Sequence, residues 1–205
     1  MTDPAGSELP VLVRQAHTAA RRIGFPVARD APGHGRGSAS LPGTGRFLAM
    51  LAAGCTGGRI AELGTGAGIG AAWMATAMPA DCTLVTAEID PVRAGAAAAV
   101  LETDARVRVL TGDWATLLPA LGPYDLIFCD SGIRDAASFR GLVDLLTPGG
   151  RIVMDDVTPV RALPADSPLR EADPKRALFA GEPRLRWTEV VLPDLANSLL
   201  AGTRT

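Results

Sequence analysis

Two carboxylates flank a glycine-rich run, and their spacing limits what that run can bind. Glu62 stands two residues before the loop Gly64-Thr65-Gly66-Ala67-Gly68-Ile69-Gly70. Glycines at these places let backbone N–H groups approach a ligand that any Cβ would repel. A carboxylate beside such a loop favours a cationic ligand group, such as an ammonium, and disfavours a pyrophosphate. Glu88 follows about 20 residues further on, at a predicted strand end, where a carboxylate can accept hydrogen bonds from both hydroxyls of a ribose.

These residues need a framework of alternating elements, and the chain supplies one. Arg59–Leu63, Thr83–Glu88, Val107–Thr111, Tyr124–Cys129 and Arg151–Met154 read as short apolar strands. Between them, Gly68–Met78, Pro91–Leu101, Trp114–Leu121 and Ala136–Leu146 read as helices, with proline in the first turn of the second. This rhythm of strand and helix predicts an α/β fold with a doubly wound, Rossmann-like parallel sheet. Ahead of it, Pro10–Ile23 has helical spacing, the Gly/Ser-rich stretch Ala31–Ser40 breaks it, and a second helix is expected over Thr44–Ala53. The turn Thr147-Pro148-Gly149-Gly150 precedes the fifth strand. After Val157 comes a Pro- and charge-rich segment with a short helix near Lys175–Ala180. Two last strands, Leu185–Leu192 and Ser198–Thr203, read as a hairpin across Pro193–Asn197 and bring the sheet to seven strands. Residues 1–43 are thus an N-terminal helix and loop, and 44–205 the main unit of a single globular domain.

With 205 residues and 47% hydrophobic content, one sizeable core is expected. The net charge of −2 is spread without a basic stripe, which argues against a nucleic-acid partner. Cys55, Cys82 and Cys129 are odd in number and widely spaced, so they read as buried thiols in a reducing cytoplasm. No apolar stretch has the length of a membrane span, and the first ten residues lack the pattern of a secretion signal.

The order and spacing of several motifs resemble the class I S-adenosylmethionine-dependent methyltransferases. They are Glu62-Leu63-Gly64-x-Gly66-x-Gly68, Glu88-Ile89-Asp90-Pro91, Gly112-Asp113-Trp114, Tyr124-Asp125-Leu126-Ile127-Phe128-Cys129-Asp130 and Leu146-x-Pro148-Gly149-Gly150. Within that class the chain resembles the catechol and caffeoyl-CoA O-methyltransferases, and its terminal hairpin resembles their antiparallel last strand. The resemblance implies that Glu62 binds the methionine ammonium of the donor and that Gly64, Thr65, Gly66 and Gly68 pass beneath it. Glu88 would hold the ribose, Ile89, Asp113 and Trp114 would frame the adenine, and Asp130 would contact the donor. Asp113 is equally placed to cap the following helix. Where the family often carries a hydroxyl, this chain has Gly70.

In metal-dependent members the positions matching Asp130, Asp155 and Asp156 bind a divalent cation, so the resemblance implies a Mg²⁺ site with Asp130 as a catalytic residue. Asp156 replaces the usual Asn. The family's lysine base, three residues after the first aspartate, is here Ile133, and the adjacent Arg134 stays protonated. His17 and His34 are read as surface or loop residues. The expected activity is methyl transfer from S-adenosylmethionine to a hydroxyl of a small acceptor, by a homodimer with the N-terminal helices at its interface. Three other readings stay open: a tRNA hydroxynucleoside methyltransferase, an inactive S-adenosylmethionine-binding protein, and an NAD-dependent oxidoreductase, since Gly66-x-Gly68-x-x-Ala71 also meets the looser dinucleotide pattern.

Overall fold

A computed structural model describes residues 8–27, 39–133, 135–192 and 197–205. Seven strands form one sheet in the order β3-β2-β1-β4-β5-β7-β6. They are β1 (Arg59–Leu63), β2 (Thr83–Glu88), β3 (Val107–Thr111), β4 (Tyr124–Cys129), β5 (Leu146–Val157), β6 (Leu185–Val191) and β7 (Ser198–Arg204). The pairs β1–β2, β2–β3, β1–β4 and β4–β5 are parallel, and β7 runs antiparallel between β5 and β6. The seven helices are α1 (Val11–Arg22), α2 (Pro42–Ala53), α3 (Ile69–Ala77), α4 (Pro91–Leu101), α5 (Trp114–Leu117), α6 (Ala136–Asp144) and α7 (Pro174–Ala180).

Alternation along the strands divides the core between the two faces of the sheet. Ile60, Leu84, Leu126, Phe128 and Val153 pack with Val13 of α1, Leu48 of α2, Met74 of α3 and Leu101 of α4. Their sequence neighbours Ala61, Leu63, Ile127, Cys129, Ile152 and Met154 face Phe139 and Leu142 of α6 and Phe179 of α7. The three cysteines are free and buried. Among the described residues no helix is long and apolar enough to cross a membrane.

Several element boundaries differ from the sequence expectation for physical reasons. The second helix starts at Pro42 because proline fits the first helical position, where no N–H is required. Past Trp114, α5 stops at Leu117 and a 3₁₀ turn covers Pro119–Leu121, since a proline N donates nothing to a continuing helix. The stretch Thr147–Gly150 is not a turn before β5. It lies inside β5, where the register against β4 shifts between Tyr124 and Leu126 and Gly149 takes φ +78°. His17 is not a surface residue: it is buried on α1, the helix that packs on α3 and α4. His34, Arg134 and most of the last hairpin turn lie outside the described residues.

The sheet's order reverses between β1 and β4, which opens a crevice at their carboxyl ends. The helices beside that crevice are held by close contacts. A Cβ on Gly45 of α2 would lie 2.2 Å from the indole nitrogen of Trp73 of α3, whereas a Cβ on the exposed Gly95 of α4 would meet nothing within 4 Å. Gly45→Ala should therefore destabilise the fold by about 1–3 kcal/mol through overpacking. Gly95→Ala should stabilise it by about 0.5–1 kcal/mol, because alanine loses less backbone entropy in a helix. Urea unfolding of the two variants beside the parent checks both signs.

Candidate active site

Glu62 sits on β1 with its side chain on the same face as Ile60, paired in register with Thr86 of β2 and Phe128 of β4. It is 1% exposed. The Thr86 hydroxyl donates to its Oε2 at 2.6 Å, and the Thr65 hydroxyl lies 2.6 Å from that of Thr86. The carboxyl also accepts the backbone N–H of Ala71, yet burial pushes its pKa from 4.5 up to about 8. The close fit explains Gly70: a Cβ there would lie 2.3 Å from Glu62 Oε1. A hydroxyl from another segment stands beside this place. Ser40 Oγ lies 3.3 Å from the same Cβ position and 3.5 Å from Asp130 Oδ2.

After β1 the chain turns through Gly64, Gly66 and Gly68, all with positive φ. The turn is fastened from the neighbouring strand. Glu88, at the end of β2, accepts the Gly66 N–H at 2.8 Å on one carboxylate oxygen and the Asp90 N–H at 3.0 Å on the other. Asp90 in turn caps α4 through the N–H groups of Val92 and Arg93. Asp113 caps α5 through Ala115 N–H.

A cavity of about 310 Å³ lies over this loop, and Gly64, Gly66, Glu88, Ile89, Asp113, Trp114, Asp130 and Asp156 all line it. Of the other residues expected at the site, Glu62, Thr65, Gly68 and Asp155 lie outside its lining. Phe25 and Arg93 line it too and carry no sequence motif: the Arg93 guanidinium sits 5.1 Å from the Phe25 ring centre, and that ring closes over Gly66. A second cavity of about 640 Å³ adjoins the first, and the two share Asp130, Ser131, Gly132 and Asp156. Its remaining walls include Ile133, Met154, Asp155, Lys175 and Leu178. The Ser131 hydroxyl at the junction is buried without a hydrogen-bond partner among the described residues.

Comparison with known proteins agrees with this geometry. A family model for a methyltransferase domain matches residues 61–157. A protein of Mycolicibacterium vanbaalenii that bears an O-methyltransferase name is 33% identical over 183 residues, which are 83% of this chain and 78% of that one. The O-methyltransferase TomG of Streptomyces achromogenes, solved with S-adenosylmethionine, superposes with a TM-score of 0.73 at 25% identity, over 97% of this chain and 91% of that one. The chain belongs to the S-adenosylmethionine-dependent O-methyltransferases. Among its relatives is a catechol O-methyltransferase of Niastella koreensis, 37% identical over 125 residues; the match covers 57% of each protein, little more than half of that relative's length. An O-methyltransferase of Bacillus cereus, solved with S-adenosylhomocysteine, shares the fold at a TM-score of 0.71 and 23% identity, over 96% of this chain and 92% of that one.

This methyltransferase does not fit the expected Mg²⁺ site. Burial, with Asp155, Asp156 and Glu62 nearby, raises the Asp130 pKa well above the carboxylate range, so the three aspartates do share one negative cleft. Their side chains are committed differently, however. Asp155 is buried, and its Oδ1 accepts Asn197 Nδ2 at 3.0 Å and Asp156 N–H at 2.7 Å. Among the described residues no three His, Cys, Asp or Glu side chains are grouped to hold a metal ion. Asn197 and Lys175, from distant parts of the chain, are what the sequence reading missed here. No local pattern signals either, because only the closing of β7 and α7 onto β5 brings them in.

Glu62 gives the fold a pH dependence. A carboxyl that keeps its proton to about pH 8 when folded, but only to about 4.5 when unfolded, stabilises the fold fully below the lower value and loses that contribution as pH rises toward the upper one. Ligand-free protein should therefore lose roughly 1–3 kcal/mol between pH 5 and pH 8 from this group. Melting curves across that range should show a shallower decline for Glu62→Gln than for the parent.

Proposed function

We propose that the smaller cavity takes S-adenosylmethionine and the larger one a small hydroxylated acceptor, so that methyl transfer occurs where they meet at Asp130, Ser131 and Gly132. The observation that carries this reading is that junction, lined by residues common to both cavities. The acceptor side, at about 640 Å³, has the size of a small-molecule pocket.

In this reading the methionine ammonium is directed toward Glu62 and Asp130, the ribose hydroxyls toward Glu88, and the adenine toward Ile89, Asp113 and Trp114. Thr65 fixes the Thr86 hydroxyl that braces Glu62, and Gly64 and Gly66 let the backbone pass close beneath the donor. When bound, S-adenosylmethionine supplies a methyl group on a sulfonium, already activated for attack. The protein's part is then mainly placement: it sets the acceptor oxygen in line with that methyl and keeps water out. Asp130 lines both cavities and, when ionised, is placed to accept the acceptor's hydroxyl proton. Ser131 offers its unpaired hydroxyl at the same point. No step is assigned to Mg²⁺, because Asp130, Asp155 and Asp156 do not fit it.

The wider setting follows the same reasoning. Residues 1–43 and 44–205 work as one unit, since α1 packs on α3 and α4. Three buried free thiols suit a reducing cytoplasm. A homodimer through the N-terminal helices would cover Val11 and Met50, each at least 60% exposed.

Calorimetry with S-adenosylhomocysteine tests the donor site. Binding is expected, and Glu88→Ala should weaken it about tenfold to a hundredfold by removing charge-assisted hydrogen bonds. Tight NAD binding in its place would overturn the reading. Labelled methyl transfer to a panel of catechols, hydroxy acids and bulk tRNA, run in EDTA, should mark a small hydroxylated acceptor; transfer to tRNA alone would reassign the acceptor.

A further inference from the structure

Among the described residues, Lys175 of α7 brings a cation to the acceptor cavity. Lys175 Nζ donates to Asp155 O at 2.7 Å and to Asp156 O at 3.0 Å. An ammonium has three N–H donors, so these two carbonyls leave one without an acceptor among the described residues, on a side chain that lines the cavity with Asp130, Asp155 and Asp156.

The arrangement is built in rather than fortuitous. Asp156 takes φ +59°, a left-handed conformation that disfavours a residue with a Cβ, and in it the carbonyls of two successive residues converge on one nitrogen. Lys175 is held on its side too. Asp173 caps α7 by accepting the N–H groups of Lys175 at 2.9 Å and Arg176 at 3.0 Å. Arg176 then latches the helix to Glu189 of β6 through two hydrogen bonds of 3.0 and 2.9 Å, and to Thr158 O at 2.8 Å. The lysine stem therefore enters the cleft from a helix fixed at its first turn.

Resting on the assignment of the two cavities to donor and acceptor, we propose that the Lys175 ammonium is the resident cation of the acceptor cleft and occupies the place of a divalent metal ion. It neutralises part of the charge of Asp130, Asp155 and Asp156, and its field acts on Asp130 against the effect of burial. A divalent ion entering the same cavity would meet a fixed like charge on its wall. The remaining N–H stays available to an acceptor oxygen beside Asp130.

Mn²⁺ is the probe that tests this, followed by loss of its free-ion electron paramagnetic resonance signal in full-length protein saturated with S-adenosylhomocysteine. The parent and Lys175→Arg should leave Mn²⁺ free. Lys175→Gln and Lys175→Met, which remove the charge, should bind Mn²⁺ at least about tenfold more tightly than the parent. Their S-adenosylhomocysteine affinity and melting temperature show that fold and donor site persist, and two neutral variants guard against one that does not fold. Equal Mn²⁺ affinity in parent and neutral variants, whether tight or negligible, would overturn the proposal. Failure of every variant and the parent to bind S-adenosylhomocysteine would instead count against the donor site.

Discussion

Burying a carboxyl in a sheet costs several kcal/mol unless its oxygens are satisfied, and Glu62, at 1% exposure, imposes that requirement on the whole upper end of this fold. Its demands are met by parts that look unrelated in sequence. Thr86 lends a hydroxyl from β2, Thr65 braces that hydroxyl from the loop, and Ala71 lends an amide from the first turn of α3. Gly70 gives up its side chain so that α3 can approach. Once α3 is set so close, the loop between Gly64 and Gly68 has one short path, and Glu88 fastens it through the Gly66 N–H. The cavity above the loop is the space left by that path.

The second constraint is charge. Asp130, Asp155 and Asp156 meet where β4 and β5 end, with Glu62 nearby. Such a cleft relieves its charge by holding a proton on Asp130 or by admitting a cation. In this protein Lys175 brings one through the chain itself, on a helix anchored by Asp173 and by the Arg176–Glu189 pair. Asn197 and the Asp156 N–H occupy one oxygen of the Asp155 carboxylate. The departures from the family pattern, Gly70, Ile133 and Asp156, thus fall around one site whose polar partners come from elsewhere: Ser40, Lys175 and Asn197.

What could be read from the sequence follows the range of the forces involved. β2, α4 and β4 begin and end where expected, because Thr83–Glu88 runs into the cap Asp90 and Pro91, and Tyr124–Cys129 is an apolar run between Pro123 and Asp130. Those signals are local. The cavity residues Glu88, Ile89, Asp113 and Trp114 were legible for the same reason, since each follows directly on a strand end. Phe25, Ser40, Lys175 and Asn197 were not, because each reaches the site through tertiary closure and has no pattern of its own. The composition of Pro148-Gly149-Gly150 is that of a turn and places the start of β5 at Arg151, whereas the strand begins at Leu146. Pairing of Leu146 with Tyr124, and of Arg151 onward with β4 and β7, brackets those residues within one strand, and the register shifts across them.

The account centres on Glu62 as a carboxyl that is protonated while the donor site is empty and ionised when an ammonium arrives. Calorimetric titration with S-adenosylhomocysteine at pH 7, repeated in buffers of different ionisation enthalpy, measures this directly. The account predicts that binding releases about one proton from the parent and none from Glu62→Gln. A binding enthalpy for the parent that is the same in every buffer would mean that Glu62 never meets the ligand's charge, and would contradict it.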